Sequence, residues 1–497
     1  MAKRHARGHR SARENVADLC DSDSFIEYGQ LVVAAQRLRR SLDDLMDNTP
    51  ADGLVAGFGT INADDFGEEV GRAAILAYDY TVLAGTQGGF NHKKTDRVLE
   101  LARDWRVPVV FFTEGGGGRP GDTDFAKVQA ATLDVMTFAT FASASGVAPR
   151  IAINNGRCFA GNAVLFGCAD VTIATKDSSI GMGGPAMIEG GGLGVHAPDE
   201  VGPMDVQTAN GVVDILAEDE ADAVRAAKKL LGFFQGTARD WACADQTLLR
   251  AVVPEDRKRV YDMRDAIALL ADTDSFLELR AGYGVGMLTG FLRIEGRPFG
   301  LIANNPHHLG GAIDAEAAEK AARFLQLCDA FDVPVLSLCD TPGFMVGPEY
   351  EKQATVRRAS SLMVVGASLS VPVFMVCLRK GYGLGAQAMA MGSFHVPNLT
   401  VAWPTGEFGP MGLEGAVRLG YRKELEAAGS EAEKQALFDK LVAAFYENGK
   451  AISVASFHEI DAVIDPAETR RWLLRALKSM PTGAPDKKPK RPFIDSW

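Results

Sequence analysis

Seven cysteines are scattered through 497 residues with no CxxC pair, so neither a zinc ribbon nor a disulfide framework is legible. A reducing, cytoplasmic setting and no bound metal are expected. Long apolar runs are also missing. The longest, Leu362 to Leu378, is broken by Gly366, Ser368, Ser370 and Pro372, and it falls short of the roughly 20 residues a membrane span needs. It reads as a helix end followed by a buried strand, with no membrane association. The formal net charge of −12 argues against a nucleic-acid partner, which needs a basic face. The basic start MAKRHARGHR is not followed by an apolar segment, so it reads as a solvated or partner-facing arm rather than a leader. Catalytic motifs are scarce: there is no HExxH, no GxSxG and no GxxxxGK[ST].

What is abundant is glycine, 53 residues of it, and internal repetition. ADLCDSDSFIE at 17–27 returns as ALLADTDSFLE at 268–278, and LVAGFGTI at 54–61 answers MLTGFLRI at 287–294. An amphipathic helix follows in each copy, through Val98, Leu101, Ala102 and Trp105, then through Ala321, Phe324, Leu325, Cys328 and Phe331. Each helix feeds a buried strand, RVPVVFFTEGGGGR and DVPVLSLCDTPGF, in which Val109 and Val335 stand 226 residues apart. NGRCFAGNAV then matches KGYGLGAQAM at a spacing of 225. Strands alternating with helices predict two tandem α/β domains of mostly parallel sheet, 1–245 and 246–497. The Pro- and Lys-rich tail GAPDKKPKRPFIDSW is expected to be poorly ordered unless Phe493 and Trp497 dock.

Each domain thus carries two glycine turns directly after buried strands. Such turns let backbone N–H groups approach an anionic oxygen, and two of them converging make an oxyanion hole. The candidate donors are Gly116 and Gly117 with Ala160 and Gly161 in the first copy. In the second they are Gly385 and Ala386 with Gly343 or Phe344, because Pro342 has no N–H. The acid and base inventory is thin. His92, Lys93 and Lys94 follow GTQGGFN and could reach a phosphate of a nucleotide-bearing substrate, or simply open a solvated helix.

At these residues the sequence resembles the carboxyltransferase (β) subunits of biotin-dependent acyl-CoA carboxylases, a crotonase-type family. The resemblance runs from about Ala12 to Met480 and is most specific in DSFLELRAGYGVGMLTGFLRIEGRPFGLIANNP, LRKGYGLGAQAMA and AWPTGEFGPMGLEGAV. It implies two crotonase-like domains, acyl-CoA on the first and carboxybiotin on the second. Gly116, Gly117, Ala160 and Gly161 would hold the thioester oxygen, with Gly88, Gly89, His92, Lys93 and Lys94 on the CoA side. Gly385 and Ala386 would hold the ureido oxygen, with Gly343, Phe344, Tyr382 and Gly383 on the biotin side. The implied chemistry is CO₂ release from carboxybiotin, removal of the α proton by the biotin anion and attack of the enolate on CO₂. No protein base is required, which suits the thin inventory.

Departures from the usual family pattern are EGGGGR where DSGGAR is common and AGNAVL where AGGAVY is common. The stretch GGPAMIEGGGLGVHAPDEVGPMDVQTANGVVD looks more like single-chain carboxylases that favour long acyl chains. With no MKM biotin motif and no ATP-grasp domain, the chain is expected to need a separate biotin carboxylase and biotin carboxyl carrier. It is also expected to form a homo-oligomer, a hexamer built as a trimer of dimers. The alternatives are a CoA-thioester decarboxylase of the same family, a crotonase-type hydratase or isomerase, and an inactive assembly scaffold. Asn162 and Gln387 stand near where hydratases place a carboxylate, and neither is a base.

Overall fold

The computed structural model describes residues 2–125, 133–481, 493–495 and 497. The chain divides into two units, the first reaching Thr237 and the second opening at Ala238, ahead of the 245/246 boundary expected from sequence. The reason is backbone pairing. The Ala238 N–H donates to the Gly296 carbonyl at 2.9 Å, and Cys243 bridges Asp272, so residues 238–245 side with the second unit.

In the first unit Leu54–Thr60 pairs antiparallel with Ile26–Glu27 and with Arg72–Tyr78. The sheet then continues in parallel through Val109–Phe112, Arg150–Asn154, Val171–Thr175 and Ile215–Ala217. These parallel strands are covered on both faces, so Val109–Phe112 is buried at every residue instead of alternating. The helix Gly89–Trp105 turns Val98, Leu99 and Ala102 into a core shared with Leu76, Phe111 and Phe166. The helix Glu220–Gln235 is capped by the Asp219 carboxylate, which accepts the Asp222 N–H. The amino-terminal segment is not a solvated arm. Arg4, His9 and Arg10 fold onto Glu114 and Glu220 of this unit. Ile494 belongs here too, exchanging hydrogen bonds with the Ser145 hydroxyl.

The second unit repeats the order and sense of the strands: Leu277–Leu279, Met287–Ile294 and Arg297–Asn304 antiparallel, then Val335–Thr341, Val373–Tyr382, Leu399–Ala402 and Ala462–Val463 parallel. Its helix Ala315–Ala330 is capped by Asp314, which accepts the Ala317 N–H at 2.8 Å. The apolar run from Leu362 is the end of the helix Thr355–Ser368 followed by the strand from Val373, as its interruptions predict. Helices Leu413–Gly420, Arg422–Glu426 and Glu431–Gly449 follow the short strand Glu407–Gly409. Trp497 packs edge-on against Tyr283 at 5.5 Å, while Phe493, in the first unit, stays exposed. The rest of the tail, 482–492 and 496, lies outside the described residues. Among the described residues no helix is long and apolar enough to cross a membrane.

Candidate active site

The glycine turns lie at the carboxyl ends of parallel strands, the edge where α/β sheets bind ligands. In the first unit Val109–Phe112 runs into Glu114–Arg119, and the strand Arg157–Phe159 runs into Ala160 and the helix Gly161–Gly167. The turns meet closely: a Cβ on Gly117 (φ +87°) would stand 2.7 Å from the Ala160 Cβ. Ala160 itself sits at φ 51°, ψ −122°, a conformation that costs a non-glycine residue on the order of 1–3 kcal/mol and is held by its surroundings. Its N–H donates to the Gly181 carbonyl at 3.2 Å.

Following each N–H to its partner corrects the donor assignment. Gly116 donates to the Ala84 carbonyl at 3.1 Å, and Gly117 to Asn162 Oδ1 at 2.9 Å. Both are committed to holding the turn, as is Ala160. Gly118 forms a one-residue parallel bridge with Gln87, in which Gln87 bonds to Gly117 O and Arg119 N. That pattern turns the Gly118 N–H to the opposite side, and nothing stands within 4 Å of where its Cβ would be. Gly161 opens its helix, so its N–H has no partner within the helix. The outward pair on this unit is therefore Gly118 and Gly161.

The second unit carries a comparable device, in which Gly385 matches Ala160 of the first copy in the 225-residue register. Gly343 (φ +122°) donates to Thr341 Oγ1 at 3.1 Å, and Phe344 bridges Ile313 in parallel, turning its N–H outward as Gly118 does. Here the helix Gly383–Met389 starts earlier relative to the repeat. Gly385 and Ala386 fall on its third and fourth positions, and Ala386 lies four residues after the cap Tyr382, the spacing of a helical hydrogen bond. Of the two, Gly385 is the one whose N–H has no partner within the helix. Its added Cβ would stand 2.6 Å from Gly343 Cα and 3.1 Å from Phe344 N, so the turns are in backbone contact.

Other expected site residues are placed differently. The Gly89 N–H is already capped by Asp122 Oδ2 at 3.1 Å, and a Cβ on Gly88 would collide with Asp122 and Arg119, so this helix start is closed to a phosphate. His92 is buried against Thr137 Oγ1 at 2.9 Å, and burial drops its pKa to about 4, which keeps it neutral. The Lys94 ammonium is buried on the Leu54 carbonyl, and burial lowers its pKa to about 8. Only Lys93 of the three is exposed. It lines an open groove of about 530 Å³ with Tyr28, Val32, Phe90, Arg37 and Arg97. The Tyr382 hydroxyl is committed to the Glu407 carboxylate inside the second unit, where burial and that charge raise its pKa far above the usual phenol. Gly383 lines a cavity of about 610 Å³ with Leu384, Gln387, Phe394, Phe408 and Leu413, on the face of the helix start that Gly385 does not share.

Asn162 is buried and acts as a clip, accepting from Gly117 and donating to the Gly85 carbonyl at 3.3 Å. Gln387 is exposed. Among the described residues no cluster of His, Cys, Asp and Glu could hold a metal ion. The arrangement offers backbone N–H groups of the kind that enolate chemistry on a thioester uses.

Residues 3–493 match the carboxyl transferase domain family. The propionyl-CoA carboxylase beta chain of Saccharopolyspora erythraea is 33% identical, the alignment covering 97% of this chain and 89% of the relative. The methylmalonyl-CoA carboxyltransferase 12S subunit of Propionibacterium freudenreichii is 34% identical over 97% and 90%. Among solved structures, the hexameric transcarboxylase 12S core with methylmalonyl-CoA superposes at a TM-score of 0.84 with 31% identity, covering 99% of this chain and 94% of that one. A single-chain, multi-domain long-chain acyl-CoA carboxylase superposes at 0.90 with 59% identity over 96% of this chain, which spans 46% of that larger enzyme. The chain belongs to the carboxyl transferase family, the carboxyltransferase components of biotin-dependent acyl-CoA carboxylases.

Proposed function

We propose that the chain moves a carboxyl group from carboxybiotin to the α-carbon of an acyl-CoA, with the thioester on the first unit and biotin on the second. The observation that carries this reading is the repeated outward donor pair, Gly118 with Gly161 and Phe344 with Gly385, one pair per unit. The first pair would hold the thioester oxygen as it gains enolate charge. The second would hold the ureido oxygen, and bound carboxybiotin would supply the CO₂, the biotin anion left behind taking the α proton. Phe344 and Gly385 would be backbone donors for an oxygen that gains negative charge as carboxybiotin gives up CO₂. The thioester turn likewise needs no protein base.

The reaction uses both kinds of donor pair, and the likeness to the hexameric 12S core leads us to assign an active site completed between subunits of a hexamer. Biotin carboxylase and biotin carrier would be supplied in trans, as suits a likeness to beta chains. All seven cysteines are free, in keeping with a cytoplasmic setting. The identity to the long-chain enzyme favours long acyl-CoAs as substrates. A ¹⁴C-bicarbonate fixation screen over acyl chain lengths tests this. Fixation should need added biotin proteins and peak on long chains. Fixation by the purified chain with ATP and bicarbonate alone would overturn the reading. Light scattering should give a mass far above 53.1 kDa.

We assign the groove at Lys93 to the nucleotide end of CoA. Tyr28, Val32 and Phe90 supply apolar walls, and Lys93, Arg37 and Arg97 supply cations. Lys93→Ala should raise KM for acyl-CoA about fivefold and leave kcat unchanged, because an exposed charge contributes roughly 1 kcal/mol and acts equally on ground and transition states. Steady-state kinetics at low and high salt check this, and the defect should shrink at high salt.

A further inference from the structure

The first residue of the thioester turn, Glu114, is buried, and its carboxylate is gripped at both oxygens by Arg4, at 3.1 and 2.5 Å. It is wedged beneath the backbone that leads to the second turn: a Cβ on Gly156 would stand 2.3 Å from Glu114 Oε1. Next to it, the Gly115 N–H donates to the Arg157 carbonyl at 2.7 Å, and the Phe159 N–H to the Gly115 carbonyl at 3.0 Å. The side chain of Glu114 therefore lies at the joint between both glycine turns. Burial raises its pKa, and the Arg4 guanidinium opposes that rise.

The second unit supplies an internal control. Asp340 occupies the position of Glu114 in the repeat and is fully buried. Its counter-cations come from its own sheet, Arg379 at 2.9 Å and Lys380 at 3.5 Å, on the strand that leads into the Gly383 turn. At the matching positions of the first unit stand Asn154 and Asn155, both neutral. The first unit thus has an acid at the joint without the cations its repeat provides, and draws one from the amino-terminal segment. That segment is itself pinned: the Arg10 N–H, His9 Nδ1 and Asn15 Nδ2 all bond to the buried Glu220 carboxylate, at 3.0, 3.1 and 2.6 Å. A basic segment beginning before the sheet would have no reason to bury an arginine unless the fold gave it an acid.

We propose that Arg4 is a positioning residue for the thioester half of the reaction, acting through Glu114 to hold the Gly118 and Gly161 donors in register. This rests on assigning the first unit to acyl-CoA. The test uses the full chain with its biotin carboxylase and biotin carrier, measuring acyl-CoA carboxylation and decarboxylation of free carboxybiotin side by side. R4A should lower kcat for carboxylation about tenfold or more, since small misplacements of reacting groups cost that much, and leave carboxybiotin decarboxylation near wild type, while the buried carboxylate left without its partner lowers the melting temperature modestly. R4A/E114Q should recover most of the loss, because a glutamine at the joint needs no counter-ion, and R4K should recover part of it. Wild-type carboxylation by R4A, or no recovery in the double variant, would overturn the proposal. So would equal losses in both half-reactions with a steeply lowered melting temperature, the mark of general unfolding. Equal losses with no more than the modest drop in melting temperature, still rescued by E114Q, would support the role of Arg4 and sink the assignment of the first unit to the thioester. No carboxylation by the wild-type chain would sink the functional reading itself.

Discussion

Replacing Gly385 with alanine should slow both half-reactions about a hundredfold. In an exposed helix interior this exchange normally stabilises by roughly 1 kcal/mol. Here the new Cβ would stand 2.6 Å from Gly343 Cα, 2.7 Å from Gly343 C and 3.1 Å from Phe344 N. All three are backbone atoms, so no side chain can swing aside and the turns must part. Separation removes the alignment of the Phe344 and Gly385 donors, and losing one such donor costs about 3 kcal/mol in the transition state, or roughly a hundredfold in rate. Both half-reactions begin with carboxybiotin, so both should fall. The check is to assay acyl-CoA carboxylation and free carboxybiotin decarboxylation with the variant, after a thermal melt confirms that it folds. Wild-type rates would remove this turn from the chemistry.

Gly117→Ala should give a different profile, with acyl-CoA carboxylation down about a hundredfold and carboxybiotin decarboxylation largely retained. Two effects combine. At φ +87° an alanine is strained by about 1–2 kcal/mol, and its Cβ would lie 2.7 Å from the Ala160 Cβ, which is itself held at positive φ and has no room to turn. The first turn would be pushed off the second, taking Gly118 away from Gly161 and breaking the Gly117 bond to Asn162. The same paired assay reads it. Identical profiles for the two alanine variants would mean that the units do not divide the reaction between thioester and biotin.

The duplicated architecture was legible because it rests on local signals: apolar runs of strand length, helical spacing of Val98 and Ala102 against Ala321 and Leu325, and glycines where a strand ends. The positions of the four turns followed from these, and so did their convergence in pairs. Which N–H faces outward did not. Gly116, Gly117 and Gly118 are chemically the same in sequence, and only the Ala84 carbonyl, Asn162 Oδ1 and the Gln87 bridge distinguish them. A usable signal was present in the repeat, since Gly118 aligns with Phe344, the residue after the positive-φ glycine in the second copy.

The CoA-side expectation erred for a related reason. His92, Lys93 and Lys94 are consecutive on a helix, so they point in different directions, and one exposed cation with two buried neighbours is what helical geometry delivers. Composition could not anticipate that Asp122, far along the chain, closes the helix start at Gly89. The pairing of Arg4 with Glu114, 110 residues apart, likewise has no local trace, although the exchange of Arg379 and Lys380 for Asn154 and Asn155 opposite a retained acid hinted that a cation was owed from elsewhere. Sequence by itself determined the fold, its duplication and the family, because periodicity and strand-ending glycines act over a few residues. Tertiary structure alone decided the donors and their supports, because an N–H is free or committed according to which distant carbonyl or carboxylate the fold brings opposite it.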